Sequence, residues 1–225
     1  NNMHLSFNCS LGLVACVIHD HPMARRWAEK ARWWIDKRLD QYVGDNGVWI
    51  IENMHYAEVS LSVVLPFAIA AQRVGFCDFL ANKKLREWVL YIVKQLTPPN
   101  PQHGGFRTQP PDTVQDRDTR NAIAGVVAKV AAEFDPVLSR ELQWAWIQQG
   151  CPIGISDNRF GGFDELIIDR SLPGSEAPDW RSESFPTASV MLRHGVGDPN
   201  EWYLALPICD RPFPDYYLPL PGGVS

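Results

Sequence analysis

Residues 1–58 read NNMHLSFNCSLGLVACVIHDHPMARRWAEKARWWIDKRLDQYVGDNGVWIIENMHYAE. Asn1-Asn2-Met3-His4 stands directly before an apolar run. Glu52-Asn53-Met54-His55-Tyr56 stands at the corresponding place after a second helical stretch and the tight turn Gly44-Asp45-Asn46-Gly47. Leu5 to His19 is apolar on nearly every side and reads as a buried helix. His19-Asp20-His21-Pro22 ends it, with Pro22 suited to the first turn of the next. Met23 to Tyr42 is amphipathic, because Trp27, Ala31, Trp34, Ile35, Leu39 and Tyr42 recur at helical spacing. A third helix, Glu52 to Val74, is again apolar all round, and Pro66 is expected to kink it. Helices apolar all round lie inside and amphipathic ones outside. The alternation therefore predicts a ring of helical hairpins.

Working outward, a fourth helix spans Phe79 to Leu96, amphipathic through Leu85, Trp88, Val89, Ile92 and Leu96. A long proline-rich loop, Thr97 to Pro111, follows. Helices over Thr119–Phe134 and Pro136–Gln149 are joined at Asp135-Pro136. Past Gly150 the helical period disappears. Ser184–His194 and Trp202–Leu206 read as strands around a Gly195-Val196-Gly197-Asp198 turn, and a further strand is placed near Tyr216-Tyr217-Leu218. The fold class is mainly α with a small β part. It is an incomplete α/α toroid of helical hairpins followed by the start of an antiparallel β-sandwich. The toroid domain covers 1–183 and the sandwich 184–225. About 40 residues of strand and loop cannot bury a core alone, so the chain is expected to be cut at both ends and to be weak or inactive by itself.

Composition narrows the function. A chain of 225 residues, 45% hydrophobic and 21% charged, is globular. Its net charge of −5 argues against nucleic acid, which needs a concentrated basic face. Arg25, Arg26, Lys30, Arg32, Lys37 and Arg38 read as the solvated face of the second helix. The five cysteines show no zinc spacing, so neither a structural metal nor a cofactor is expected. Cys9 and Cys16 share one helical face and read as small buried residues. Val59 to Ala71 is too short to span a bilayer. Most of the nine Trp are expected in the core. No signal peptide is present, which says nothing of export when the chain starts inside a motif.

Amide, imidazole, phenol and carboxylate groups at the helix starts of two consecutive hairpins suit proton abstraction from an anionic sugar. The motif Asn1-Asn2-Met3-His4, then Asn8, Gly12-Leu13 and His19-Asp20-His21-Pro22, resembles the Asn-Asn helix start of heparinase II/III-like polysaccharide lyases and related alginate lyases. Asp45-Asn46-Gly47 with Glu52 and Tyr56 resembles their Asp-Gly…Glu…Tyr signature. Ser184-Phe185-Pro186 with Val190-Met191-Leu192-Arg193 resembles the strand that opens their sandwich. The chain departs in having Met3 where these enzymes often have His, with His4 one place later. Pro110-Pro111-Asp112 matches their Pro…Gly-Asp loop only loosely, and a sandwich His-x-His-x-x-Asp motif does not occur before Ser225.

The resemblance implies β-elimination on a uronic-acid polysaccharide, in a periplasmic or secreted setting. Asn2 would neutralise the substrate carboxylate. Tyr56 would act as both base and acid, with His4 as a second base. Glu52 would orient Tyr56 from one turn away. His55, about 100° from Tyr56 around an ideal helix, His103 in the Gly-Gly loop and Trp49 are further candidates for substrate contact. His19, His21 and His194 read as structural. Each choice has a structural alternative: Asn2 as a helix cap, Tyr56 as a buried aromatic. Two other functions stay open. One is a toroid-fold glycoside hydrolase drawing on Asp45, Glu52, Asp112 and Asp116; the other is a carbohydrate-binding fragment without catalysis.

Overall fold

The computed structural model describes residues 2–50, 54–78, 81–110, 119–154, 167–174, 176–186 and 189–207. Among them are six α-helices: α1 (Asn2–Val17), α2 (Ala24–Tyr42), α3 (Met54–Arg73), α4 (Lys83–Lys94), α5 (Ile123–Ala131) and α6 (Pro136–Gln148). Three strands follow, β1 (Glu183–Phe185), β2 (Ser189–His194) and β3 (Trp202–Pro207), forming one antiparallel sheet in the order β1-β2-β3. The protein is mainly helical with a small sheet at its C-terminal side, as its sequence pattern predicts.

The buried stripes follow the helical period. α2 buries Ala24, Ala28, Ala31, Ile35 and Leu39. Trp27, Trp34 and Tyr42 flank that stripe half-buried, since small residues let the helices approach and the large rings fill the margins. α1 departs from expectation. It buries Leu5, Cys9, Ala15 and Cys16, yet leaves Met3, Phe7, Val14 and Val17 exposed along one side, Phe7 by 75%. α1 is apolar all round but packed on one face only, against α2 and α3. α3 is buried as expected and runs through Pro66 as one element. α4 starts later than its apolar pattern suggests, because the Asn82 side chain caps it by accepting from the N–H groups of Lys84 and Leu85. Asp135 caps α6 by accepting from Leu138 N at 3.0 Å, with Pro136 in the first turn.

The turn before α3 is fixed by close backbone approach. Asn46 and Gly47 have φ of 58° and 79°, and a Cβ on Gly47 would stand 1.9 Å from the Glu87 carbonyl oxygen of α4. Only glycine fits there. The expected strand Ser184–His194 is two strands, with β1 pairing back on β2 through Phe185↔Ser189. Pro186 lacks the N–H that a continuing ladder requires. The Gly195–Asp198 turn joins β2 to β3 as expected, with Asp198 N donating to Gly195 O at 2.8 Å.

The sheet is fastened to the helices by buried charge. Arg107 donates from Nη1 and Nη2 to the two carboxylate oxygens of Glu201, with side chains 1% and 3% exposed, and its guanidinium lies 5.0 Å from the Trp144 ring centroid. Arg193 of β2 donates to the carbonyl oxygens of Lys94 and Leu96 at 2.8 and 2.6 Å. Burial lowers its pKa. Tyr91 meets Phe185 edge-to-face at 5.0 Å.

Candidate functional site

α1 and α3 bring their first residues to one end of the bundle. A Cβ on Gly12 of α1 would lie 2.5 Å from the Phe67 ring of α3 and 2.9 Å from Ala31 Cβ of α2. About three helical turns lead back from Gly12 to Asn2, and about as many from Phe67 to Tyr56. α2 runs the opposite way, since Ala31 faces Gly12 while Arg38 Nη2 lies 3.5 Å from His4 Nδ1. Ile50 N donates to Tyr42 O at 2.9 Å, four residues before α3 begins at Met54, so the starts of α1 and α3 and the close of α2 share one end, the upper end. The sheet adjoins it: Asn46, in the turn between α2 and α3, donates from Nδ2 to Ser184 O of β1 at 3.2 Å.

His4 is exposed there, and Asn8 Nδ2 donates to its carbonyl at 2.8 Å. Arg38 Nη1 donates to the Tyr42 hydroxyl and, at 2.9 Å, to Gln41 Oε1. Tyr56 is half-buried in the first turn of α3, its ring centroid 5.2 Å from that of His55 with planes at 58°. Although an ideal helix separates these two neighbours, their rings lean together. The side chain of Asn2 and the whole of Glu52 lie outside the described residues, as do Asp112 and Asp116.

Trp49 corrects the expectation of a sugar contact. It is 1% exposed, stacked on Trp88 at 4.7 Å and 10°, with Tyr42 edge-on at 5.7 Å. Its indole belongs to the core between α2 and α4. His103 closes a 3-10 turn, Pro101–His103, half-buried in a loop pinched by the Asn100↔Phe106 bridge. That loop rests on the close of α6, through Arg107 N donating to Gln148 O at 2.9 Å, and Arg120 lies over the Phe106 ring at 5.2 Å. His103 thus flanks the upper end without a described contact to His4 or Tyr56.

A buried polar link beneath the upper end was not foreseen. Glu58, one turn into α3 and 3% exposed, accepts from Asn121 Nδ2 at 2.9 Å. Asn121, also 3% exposed, accepts from Ile123 N at 3.2 Å and donates from its backbone to Gln149 Oε1 at 3.1 Å. One carboxylate and two amides thereby tie the start of α3 to the start of α5 and the close of α6. An acid inside an otherwise apolar run, such as Glu58 in AEVSLSVVL, was the available signal. Asn121 before an apolar run is likewise a helix-start residue.

The upper end therefore presents a phenol beside an imidazole at α3, and an imidazole beside a guanidinium at α1 and α2. These groups can move a proton and hold an anion. Among the described residues no cluster of three or more His, Cys, Asp or Glu is placed to hold a metal ion, and no helix is long and apolar enough to cross a membrane. No protein-family model matches the chain, and no curated protein matches it.

Proposed function

We propose that this chain carries active-site residues of a polysaccharide lyase that cleaves a uronic-acid polymer by β-elimination. The observation that carries the reading is that the helix starts bearing His4 and Tyr56 lie at the same end, with Tyr56 half-buried rather than sealed in the core. Asn2 donates its amide to the substrate carboxylate, which otherwise resists the build-up of enolate charge on C5. Tyr56, as phenolate, takes the C5 proton. The electron pair forms the C4–C5 double bond and the C4–O bond breaks, and the Tyr56 hydroxyl returns the proton to the leaving oxygen. His4 and His55 flank this path. The Glu58–Asn121 link holds the turn of α3 on which Tyr56 sits, since a buried carboxylate with its partner in place resists rotation of the helix start.

The test is direct. A panel of uronide polymers is incubated with the protein, and near-ultraviolet absorbance from the new C4–C5 double bond is followed alongside reducing ends. Both signals rising together support elimination. Reducing ends without absorbance would assign a hydrolase, and binding without either would assign a carbohydrate-binding fragment.

A further inference from the structure

Arg38 is a cation whose described partners carry no negative charge. Nη1 is engaged by neutral oxygens of Tyr42 and Gln41, and Nη2 meets only the His4 imidazole at 3.5 Å. Nε is buried with no hydrogen-bond partner. The guanidinium is held in place by rings, 5.5 Å from the Trp34 centroid and 5.0 Å from that of Tyr42. Among the neighbouring cations, Arg32 pairs with Asp36 at 3.3 Å and Lys84 with Asp40 at 3.3 Å. Lys37 also rests on rings, those of Trp33 and Trp34, but is exposed, whereas Arg38 is half-buried. Among the described residues no carboxylate pairs with Arg38. The element facing it adds no compensation, because His4 sits in the first turn of α1, which holds no acidic residue and carries the positive end of that helix. The close of α2 offsets part of the charge through its carbonyls, yet among the described residues no anion stands against the Nη2 side facing His4.

We propose that Arg38, with His4 and Tyr42, forms an anion subsite at the upper end that takes the carboxylate of a uronate residue of the bound polymer. A guanidinium fixed between aromatic rings loses little freedom when it accepts a carboxylate, and a charge-assisted hydrogen bond at Nη2 is roughly twice as strong as a neutral one. The anionic class of ligand follows from the unbalanced charge. Its identity as a uronate rests on the lyase reading above.

The test is calorimetric titration with tetramers of mannuronate and glucuronate, with cellotetraose as the neutral control. The wild type binds an acidic tetramer more tightly than cellotetraose, and the difference shrinks as salt is raised. Arg38→Gln weakens acidic-tetramer binding by roughly 10- to 100-fold, the worth of a hydrogen bond to a charged group, and leaves cellotetraose unchanged. Arg38→Lys restores part of the loss and answers the same question should the Gln variant fail to fold. Unchanged acidic binding in Arg38→Gln, or a wild type that prefers neither acidic tetramer, overturns the subsite. The lyase reading fails separately: acidic binding through Arg38 without near-ultraviolet absorbance leaves the subsite and removes the elimination. Absorbance with an unchanged KM in Arg38→Gln does the reverse.

Discussion

The hydroxyl of Tyr56 is one oxygen on a half-buried ring, so removing it separates chemistry from packing. Tyr56→Phe is expected to lower turnover on a uronide polymer by roughly 10²–10⁴-fold, the usual worth of a positioned acid–base group, with the thermal midpoint nearly unchanged. Gly47 gives the opposite kind of residue-scale result. Gly47→Ala places a methyl 1.9 Å from a carbonyl oxygen at a φ of 79°, and should cost more than about 1 kcal/mol in denaturant unfolding. Single residues were unevenly legible in the sequence. The glycine turn could be read because its spacing is local. Trp49 could not, since the ring that buries it, Trp88, lies on another helix. Arg38 was hidden inside a basic run, and only tertiary contact with His4 distinguishes it from its neighbours.

The helices α1 and α3 have similar apolar patterns and different fates. α3 is enclosed, whereas α1 packs on one face and shows Met3, Phe7, Val14 and Val17 to solvent. A hydrophobic pattern reports what a helix can bury, and the number of neighbours decides what it does bury. On the packed face of α1, burial pushes the Cys16 thiol up to about 11, with Cys77 nearby adding to the effect, and raises Cys9 further. Both thiols should resist iodoacetamide at pH 8 in the native protein and react once it is unfolded, because the thiolate is the nucleophile. Fast labelling of either in the folded state would contradict that packing. Between elements, the Glu58–Asn121 bond was beyond sequence reading, since its partners come together only when α5 docks on α3. Asn121→Ala removes the amide that donates to the buried Glu58 carboxylate, together with its own bond to Ile123 N. It should cost about 1–3 kcal/mol in unfolding and lower turnover as well, by loosening the turn that carries Tyr56.

The whole molecule joins its helices to its sheet by ionic contacts as well as apolar ones. Arg107 and Glu201 are both nearly fully buried, so Glu201→Ala leaves a lone guanidinium inside and should destabilise by roughly 3–5 kcal/mol. Limited proteolysis should then release the strand segment first. At the same junction, burial pushes Tyr203 up to about 12. A group whose folded pKa is raised stabilises the native state fully below its ordinary value, near ~10 for tyrosine, and that contribution is lost as pH climbs toward about 12. Urea midpoints should therefore fall across that alkaline window, in the same direction as the Cys16 contribution at slightly lower pH. The order of helices and then strands was legible because period and turn chemistry are local. The docking of the sheet on the upper end was not, because it depends on Arg107, Arg193 and Asn46 meeting partners far along the chain. That docking puts β1 beside the turn leading into the Tyr56 helix. The most direct test of the central claim is the near-ultraviolet absorbance of a uronide polymer incubated with the full-length wild type and, in parallel, with full-length Tyr56→Phe. The account predicts a steady rise with the wild type and a rise at least ~10²-fold slower with the variant. Equal rates in the two, or reducing ends formed by the wild type with no absorbance, would contradict it.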